Sequence, residues 1–243
     1  MFVKALPNML TVGNLFLGVV AMILAFQGNQ YVDYAAITVI VGMLLDGLDG
    51  RVARMLNAQS EFGKELDSLS DVITFGVAPA FIMYVVALQQ LDVIGIIITA
   101  IFPICGALRL ARFNVQAGVP GYFTGLPITA AGGVLATLAL YHEVFHLGLL
   151  LLSMLLLAFL MVSNVKYPNF KKVGIPKAAY WITPIIVLVV VVVAVKFPSQ
   201  FPKIVFLPLA LYALYGIKKN VEFLFRKIKA RREERKTKTF PFD

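Results

Sequence analysis

The stretch DGLDGRVARMLNAQSEFGKELDSLSD, residues 46 to 71, places four aspartates in a chain that is otherwise mostly oil. Asp46 and Asp49 are three residues apart, and Asp67 and Asp71 are four apart. On helices, each pair shares one face. Long apolar runs precede and follow the stretch, so it reads as the facing ends of two consecutive membrane spans joined by a short turn. In that arrangement the two acidic faces can converge. An aspartate at the centre of a bilayer costs about 2.5–3.5 kcal/mol on insertion scales, so four would cost on the order of 10–14 kcal/mol by simple addition. A purely structural role does not justify such a cost. A hydrated cavity open to the cytosol does.

The rest of the chain supports a membrane setting. It has 243 residues, 60% hydrophobic and only 14% charged, with mean hydropathy +0.85; a soluble domain carries roughly 25% charge. Spans are predicted over about 7–27, 33–54, 63–88, 92–112, 123–142, 145–164, 178–196 and 203–222, each near the roughly 20 residues that cross a bilayer. The expected fold is therefore an all-α integral membrane protein of about eight transmembrane helices. Residues 1–164 would form a six-helix core, 165–222 two additional helices, and 223–243 a basic tail. The single cysteine, Cys105, excludes an internal disulfide framework, and the first apolar segment lacks a small-residue cleavage site and reads as a retained helix.

Charge sets the orientation. The connections GNQYVD (28–33), QQLD (89–92) and YHEVFH (141–146) carry no Lys or Arg, whereas the alternate ones carry Arg51, Arg54 and Lys64, then Arg109 and Arg112, then Lys166, Lys171, Lys172 and Lys177. Only Lys196 and Lys203 fall on the poor side. Positive charge marks cytoplasmic loops, so both termini and the aspartate stretch are expected on the cytosolic side of the cell membrane. Ten of the 22 Lys and Arg lie between Lys218 and Lys238. A basic segment directly after a span is expected to meet anionic lipid headgroups rather than nucleic acid; Phe223, Leu224, Phe225 and Ile228 among the basic residues predict an interfacial amphipathic helix, with a frayed, solvated tail as the alternative.

Four neighbouring carboxylates cannot all stay ionised at close range without cations. All-oxygen, carboxylate-rich ligation suits Mg²⁺ or Mn²⁺, and a pair of such ions sharing aspartates is the usual clamp for phosphoryl chemistry. Gly47, Gly50 and Gly63 remove side chains where a pyrophosphate and its ions would approach the backbone. The competing structural reading, carboxylates at helix ends favoured by the dipole of a first turn, accounts for the pair spacing taken alone.

The full pattern, D-x2-DG-x2-AR-x8-G-x3-D-x3-D from Asp46 to Asp71, resembles the signature of the CDP-alcohol phosphatidyltransferases at all eight defining positions, Ala53 included. That resemblance implies a six-helix core, a homodimer, and transfer of a phosphatidyl group from CDP-diacylglycerol to an alcohol with release of CMP. It implies that Asp46, Asp49 and Asp67 ligate two divalent cations, and that Asp71 is both a ligand of the second and the general base. Gly50, Arg54 and Ser60 would contact the CDP moiety, with Gly63 leaving room for it. Asn8 and Thr11, in PNMLT, sit where that family also touches the nucleotide.

The signature does not name the acceptor. GKELDSLSDVITFGVAPA, CGALRLARFNV, TGLPITAAGG and VSNVKYPNFKK together are similar to the phosphatidylserine synthases of this superfamily, which implies L-serine. Arg109, Arg112 and Lys166, at cytosolic span ends, are candidates to hold its carboxylate, Arg being suited to bidentate binding; snorkelling to headgroups is the plain alternative. Glycerol 3-phosphate or an inositol phosphate would also want cations, so these acceptors stay open. Two other classes compete. HEVFH, His142 to His146, matches the zinc-hydrolase pattern H-E-x-x-H, but the charge alternation puts it on the face opposite the aspartates, across roughly 30 Å of bilayer. A divalent-cation transporter could instead use the aspartates as a pathway.

Overall fold

The computed structural model describes residues 2–115 and 122–168. The predicted spans at 178–196 and 203–222 and the basic tail lie outside the described residues. Helix α1 (Phe2–Phe26) and α2 (Val32–Met55) form an antiparallel pair. Their connection turns on Gly28, whose φ of +117° suits glycine, followed by a single 3₁₀ turn at Asn29–Tyr31. A five-residue reversal then leads to α3 (Glu61–Asp71). Asn57 there takes a left-handed φ of +49°, a conformation that Asn adopts more readily than most residues.

From Glu61 to Val115 the backbone is helical almost without a break, but it is two spans, as the sequence predicts. After α3 come a π-helical segment at Val72–Val77, the short α4 (Ala78–Met83), a second π-helical segment at Tyr84–Leu88 and a 3₁₀ turn at Gln89–Leu91. Asp92, with φ +48° and ψ −124°, breaks the run. Helix α5 (Asp92–Val115) then returns along the first half. Asn114 Nδ2 donates to Ser68 Oγ at 2.9 Å, 46 residues earlier in sequence, which only a reversal permits.

Helix α6 (Ile128–Ala139) is the packed centre. Ten of its residues are buried, mostly Ala and Gly, and a Cβ at Gly132 would lie 2.3 Å from the Phe75 carbonyl oxygen. Small residues at such contacts let helices approach closely where no aqueous hydrophobic drive operates. Helix α7 (Leu147–Val162) completes the described bundle. Three helical stretches, Ala5–Phe26, Asn29–Met55 and Glu61–Val115, are long and apolar enough to cross a membrane, and α6 and α7 are shorter apolar helices. The chain is a multi-pass membrane protein of helical architecture.

The fifth predicted span, 123–142, is shortened at both ends. Strand β1 (Tyr122–Thr124) pairs antiparallel with β2 (Lys166–Pro168), a departure from the all-α expectation. Gly125, at φ +80°, and Pro127, the cap of α6, prevent the helix from starting earlier. A Cβ at Gly125 would fall 2.2 Å from the Met161 carbonyl oxygen, so the strand is held hard against the end of α7. Arg112 fastens the junction. Its Nη1 donates to Val162 O at 3.0 Å and Asn164 Oδ1 at 3.3 Å, and its Nη2 to Ser163 O at 3.1 Å, Met161 O at 3.4 Å and Thr124 O at 3.5 Å. A cation on the free carbonyls of a helix C-terminus satisfies both hydrogen bonding and the dipole.

Arg112→Ala should destabilise the bundle by about 2–3 kcal/mol, the value of charged hydrogen bonds lost without replacement. Thermal unfolding in detergent should show this as a lowered midpoint, with CDP affinity near that of the unaltered protein. An unchanged midpoint would contradict the fastening role.

Candidate active site

Three helix ends make the site. The first turns of α1 bring Pro7, Asn8 and Thr11. The last turns of α2 bring Asp46, Asp49, Gly50, Ala53 and Arg54, and α3 brings Gly63, Lys64, Asp67 and, at its last residue, Asp71. Ser60 starts α3 by accepting the Gly63 backbone N–H at 3.0 Å, a helix cap. Alignment on α1 is fixed by side chains of α3 and of the π-helical segment after it: Ser70 Oγ donates to Thr11 O at 3.1 Å, and Thr74 Oγ1 to Asn14 O at 2.9 Å.

Between these ends lies a cavity of about 590 Å³, lined among others by Asn8, Thr11, Asp49, Gly50, Arg54, Ser60, Gly63 and Asp67. It gathers all six residues expected to contact the nucleotide. One carboxylate oxygen from each of Asp46, Asp49 and Asp67 lies within 4.8 Å of the others. Asp71 adjoins this trio, close enough for Asp46, Asp67 and Asp49 all to act on its charge. Asp49 and Asp71 are buried, at 4% and 7% exposure, and Asp71 Oδ1 has no hydrogen-bond partner among the described residues. The donor set therefore fits a hard divalent cation: only oxygen ligands, close together, on rigid helices.

Asp49 is held from the side. Thr11 Oγ1 lies 2.7 Å from Asp49 Oδ2 and 3.1 Å from Pro7 O. The hydroxyl has a single proton, and the shorter contact to a charged oxygen is the stronger. Thr11, expected as a nucleotide contact, thus also orients an aspartate. Arg54 reaches over Gly50, its Nη1 3.5 Å from where a Cβ at residue 50 would lie. Gly63 faces Asn8 Oδ1 and Ser60 Oγ, at 3.0 and 3.1 Å from a Cβ placed there. A Cβ at Gly47 would meet nothing within 4 Å, so the protein itself does not demand glycine at that position.

Three expected acceptor contacts are not among the residues lining this cavity. Arg109 is buried in α5, 6% exposed, with its guanidinium carbon 5.8 Å from the Phe113 ring centroid. Arg112 holds the end of α7, as described above. Lys166 pairs with Thr124 in the strand ladder. Conversely, Gln59, Glu61 and Lys64 line the cavity without having been singled out in the sequence. Lys64 stands three residues before Asp67 on one helix face, a spacing that was readable. The HEVFH motif forms no helical zinc site, because residues 140–145 are turns. His142 Nδ1 lies 2.9 Å from Ala139 O, and His146 accepts the Gly148 N–H at 3.2 Å to cap α7.

Comparison with known proteins gives a consistent set. The family described as CDP-alcohol phosphatidyltransferase matches residues 4–213. A Helicobacter pylori protein named CDP-diacylglycerol–serine O-phosphatidyltransferase is 39% identical over 232 residues, 92% of each chain. A Bacillus subtilis protein of the same name is 41% identical over 167 residues, 69% of this chain and 92% of the relative. An archaetidylserine synthase of Methanothermobacter thermautotrophicus is 37% identical over 172 residues, 70% of this chain and 72% of the relative.

If Thr11 orients Asp49, Thr11→Val should weaken Mn²⁺ binding by about 10–100-fold, the usual effect of losing a partner that orients a metal ligand. Thr11→Ser, which keeps the hydroxyl, should bind nearly as the native protein does. A Mn²⁺ titration checks both, and equal affinity of the valine variant would remove the role assigned to Thr11.

Proposed function

We propose a specific reaction for this chain, which belongs to the CDP-alcohol phosphatidyltransferase family: it transfers the phosphatidyl group of CDP-diacylglycerol to the hydroxyl of L-serine, giving phosphatidylserine and CMP. The observation that carries this reading is the convergence of Asp46, Asp49 and Asp67 beside a cavity lined by all six expected nucleotide contacts. The relatives' names support serine as acceptor.

The serine oxygen attacks the lipid-bearing phosphorus. The bond from that phosphorus to the bridging oxygen breaks, and CMP departs with that oxygen. Asp46, Asp49, Asp67 and Asp71 would hold two divalent cations, Mg²⁺ or Mn²⁺, whose charge polarises the diphosphate and offsets the charge of the leaving group. Arg54 extends a guanidinium toward the same phosphates, a geometry suited to their oxygens. Ser60, whose oxygen already accepts the Gly63 N–H, keeps its proton to donate to the nucleotide. Asn8 presents its amide at the cavity wall, and Gly50 and Gly63 let the diphosphate lie against the backbone.

Asp71 takes the hydroxyl proton. It is buried and stands beside the trio without being one of its closest members. A carboxylate that also faces a cation is a weak base, so its part in the reaction depends on proton loss running late, when the P–O bond to serine has largely formed. The buried cation Arg109 and Lys166 are proposed to draw the serine carboxylate to the cytosolic ends of the helices. Arg112 is assigned to the fold, because its guanidinium is engaged by five oxygens of the α7 end and β1. The protein is placed in the cytoplasmic membrane as a homodimer, with termini and site toward the cytosol, and its basic tail from Lys218 to Lys238 against anionic lipids.

Purified protein given CDP-diacylglycerol and Mg²⁺ or Mn²⁺ should release CMP with L-serine. Release with glycerol 3-phosphate or an inositol phosphate, and not with serine, would overturn the acceptor assignment. Asp49→Asn should abolish turnover while leaving expression intact. Asp71→Asn should keep nucleotide affinity and lose turnover by about 10²–10⁴-fold, the contribution of a positioned base; full activity in either variant would contradict the roles given.

A further inference from the structure

Asn14 lies on α1 one helical turn beyond Thr11 and is fully buried, at 0% exposure. Neither Oδ1 nor Nδ2 has a hydrogen-bond partner among the described residues. Buried polar groups are almost always paired, and inside a bilayer no solvent stands in for a missing partner. The surroundings are shaped around this amide. A Cβ at Gly42 would lie 2.8 Å from Asn14 Oδ1, so the amide fits only because residue 42 lacks a side chain. Thr74, in the π-helical segment that continues α3, is fixed against the same residue by donating to the Asn14 carbonyl.

Helical spacing puts the amide beneath the acidic cluster. Gly42 is one turn before Asp46 on α2, and Thr74 is one turn after Asp71. Asp71 Oδ1 is itself a buried oxygen without a partner. An unsatisfied donor and an unsatisfied carboxylate oxygen thus occupy adjacent layers where α1, α2 and α3 meet. We propose that Asn14 is a positioning residue for Asp71: its Nδ2–H reaches Asp71 Oδ1 through one buried water. The bond fixes the rotation of the carboxylate and leaves its other oxygen free for the cluster and the acceptor proton. The role given to Asp71 rests on the transferase reading; the contact does not.

Asn14→Leu keeps the branching of the side chain and removes both unsatisfied groups together, a change that need not destabilise. The metal-free variant should unfold at or above the native temperature. Its Mn²⁺ affinity should fall by about tenfold, and its kcat by a similar factor with KM for CDP-diacylglycerol unchanged. In an Asp71→Asn background the same substitution should leave Mn²⁺ affinity where it is, since interacting residues are non-additive. Native Mn²⁺ affinity and kcat in Asn14→Leu, or an equal loss in both backgrounds, would overturn the proposal. Should Asn14→Leu not fold, Asn14→Ala taken through the same cycle decides in the same way. The Mn²⁺ measurement needs no lipid substrate, so a native protein inactive with every acceptor would count against the transferase reading alone.

Discussion

Mutual repulsion among carboxylates inside a membrane-embedded bundle is the constraint on which this structure depends. Asp46, Asp49 and Asp67 bring oxygens within 4.8 Å of one another, and Asp71 stands close enough to feel their charge. Without compensating charge, such a cluster would drive α2 and α3 apart. Rigid packing resists that from the protein side, and cations would remove it from the ligand side. The same charge that makes the cluster costly to bury makes it selective for hard divalent ions and for the phosphates such ions hold.

Close helix contact supplies the rigidity. A Cβ at Gly18 would sit 2.6 Å from Thr74 Oγ1, and one at Gly95 would sit 2.1 Å from the Leu88 carbonyl oxygen. Gly18 and Gly132 bring backbones together at the levels of the site and of the central helix α6, Gly42 makes room for the Asn14 and Thr74 side chains, and Gly95 closes the turn into α5. Hydroxyls then lock the alignment: Ser70 and Thr74 grip α1, and Thr11 grips Asp49. Lateral packing and interhelical hydrogen bonds are the available forces in a membrane, and both converge on the acidic layer.

Much of this was legible in the sequence. The first four spans follow from apolar length, and the reversals at GNQYVD and QQLD appear where read. The gathering of Asn8, Thr11, Gly50, Arg54, Ser60 and Gly63 at one cavity follows the signature spacing. The fifth span was misjudged because hydropathy does not weigh Gly125 and Pro127, whose backbone demands favour a strand and a late helix start. The position of Arg112 could not be read, because its partners are carbonyls some 50 residues away and carbonyls leave no trace in composition. Asn14 was a missed signal. A lone Asn between Thr11 and Gly18 in an apolar helix is the kind of polar residue that a membrane interior seldom keeps without a partner.

The most direct measurement is electron paramagnetic resonance of the purified protein titrated with Mn²⁺ in the presence of CDP. The account predicts two bound ions per chain, close enough for their spins to couple, with the coupling lost when Asp46 or Asp67 is replaced by alanine. A native protein that binds no Mn²⁺ beside the nucleotide, or binds it equally well without those aspartates, would contradict it.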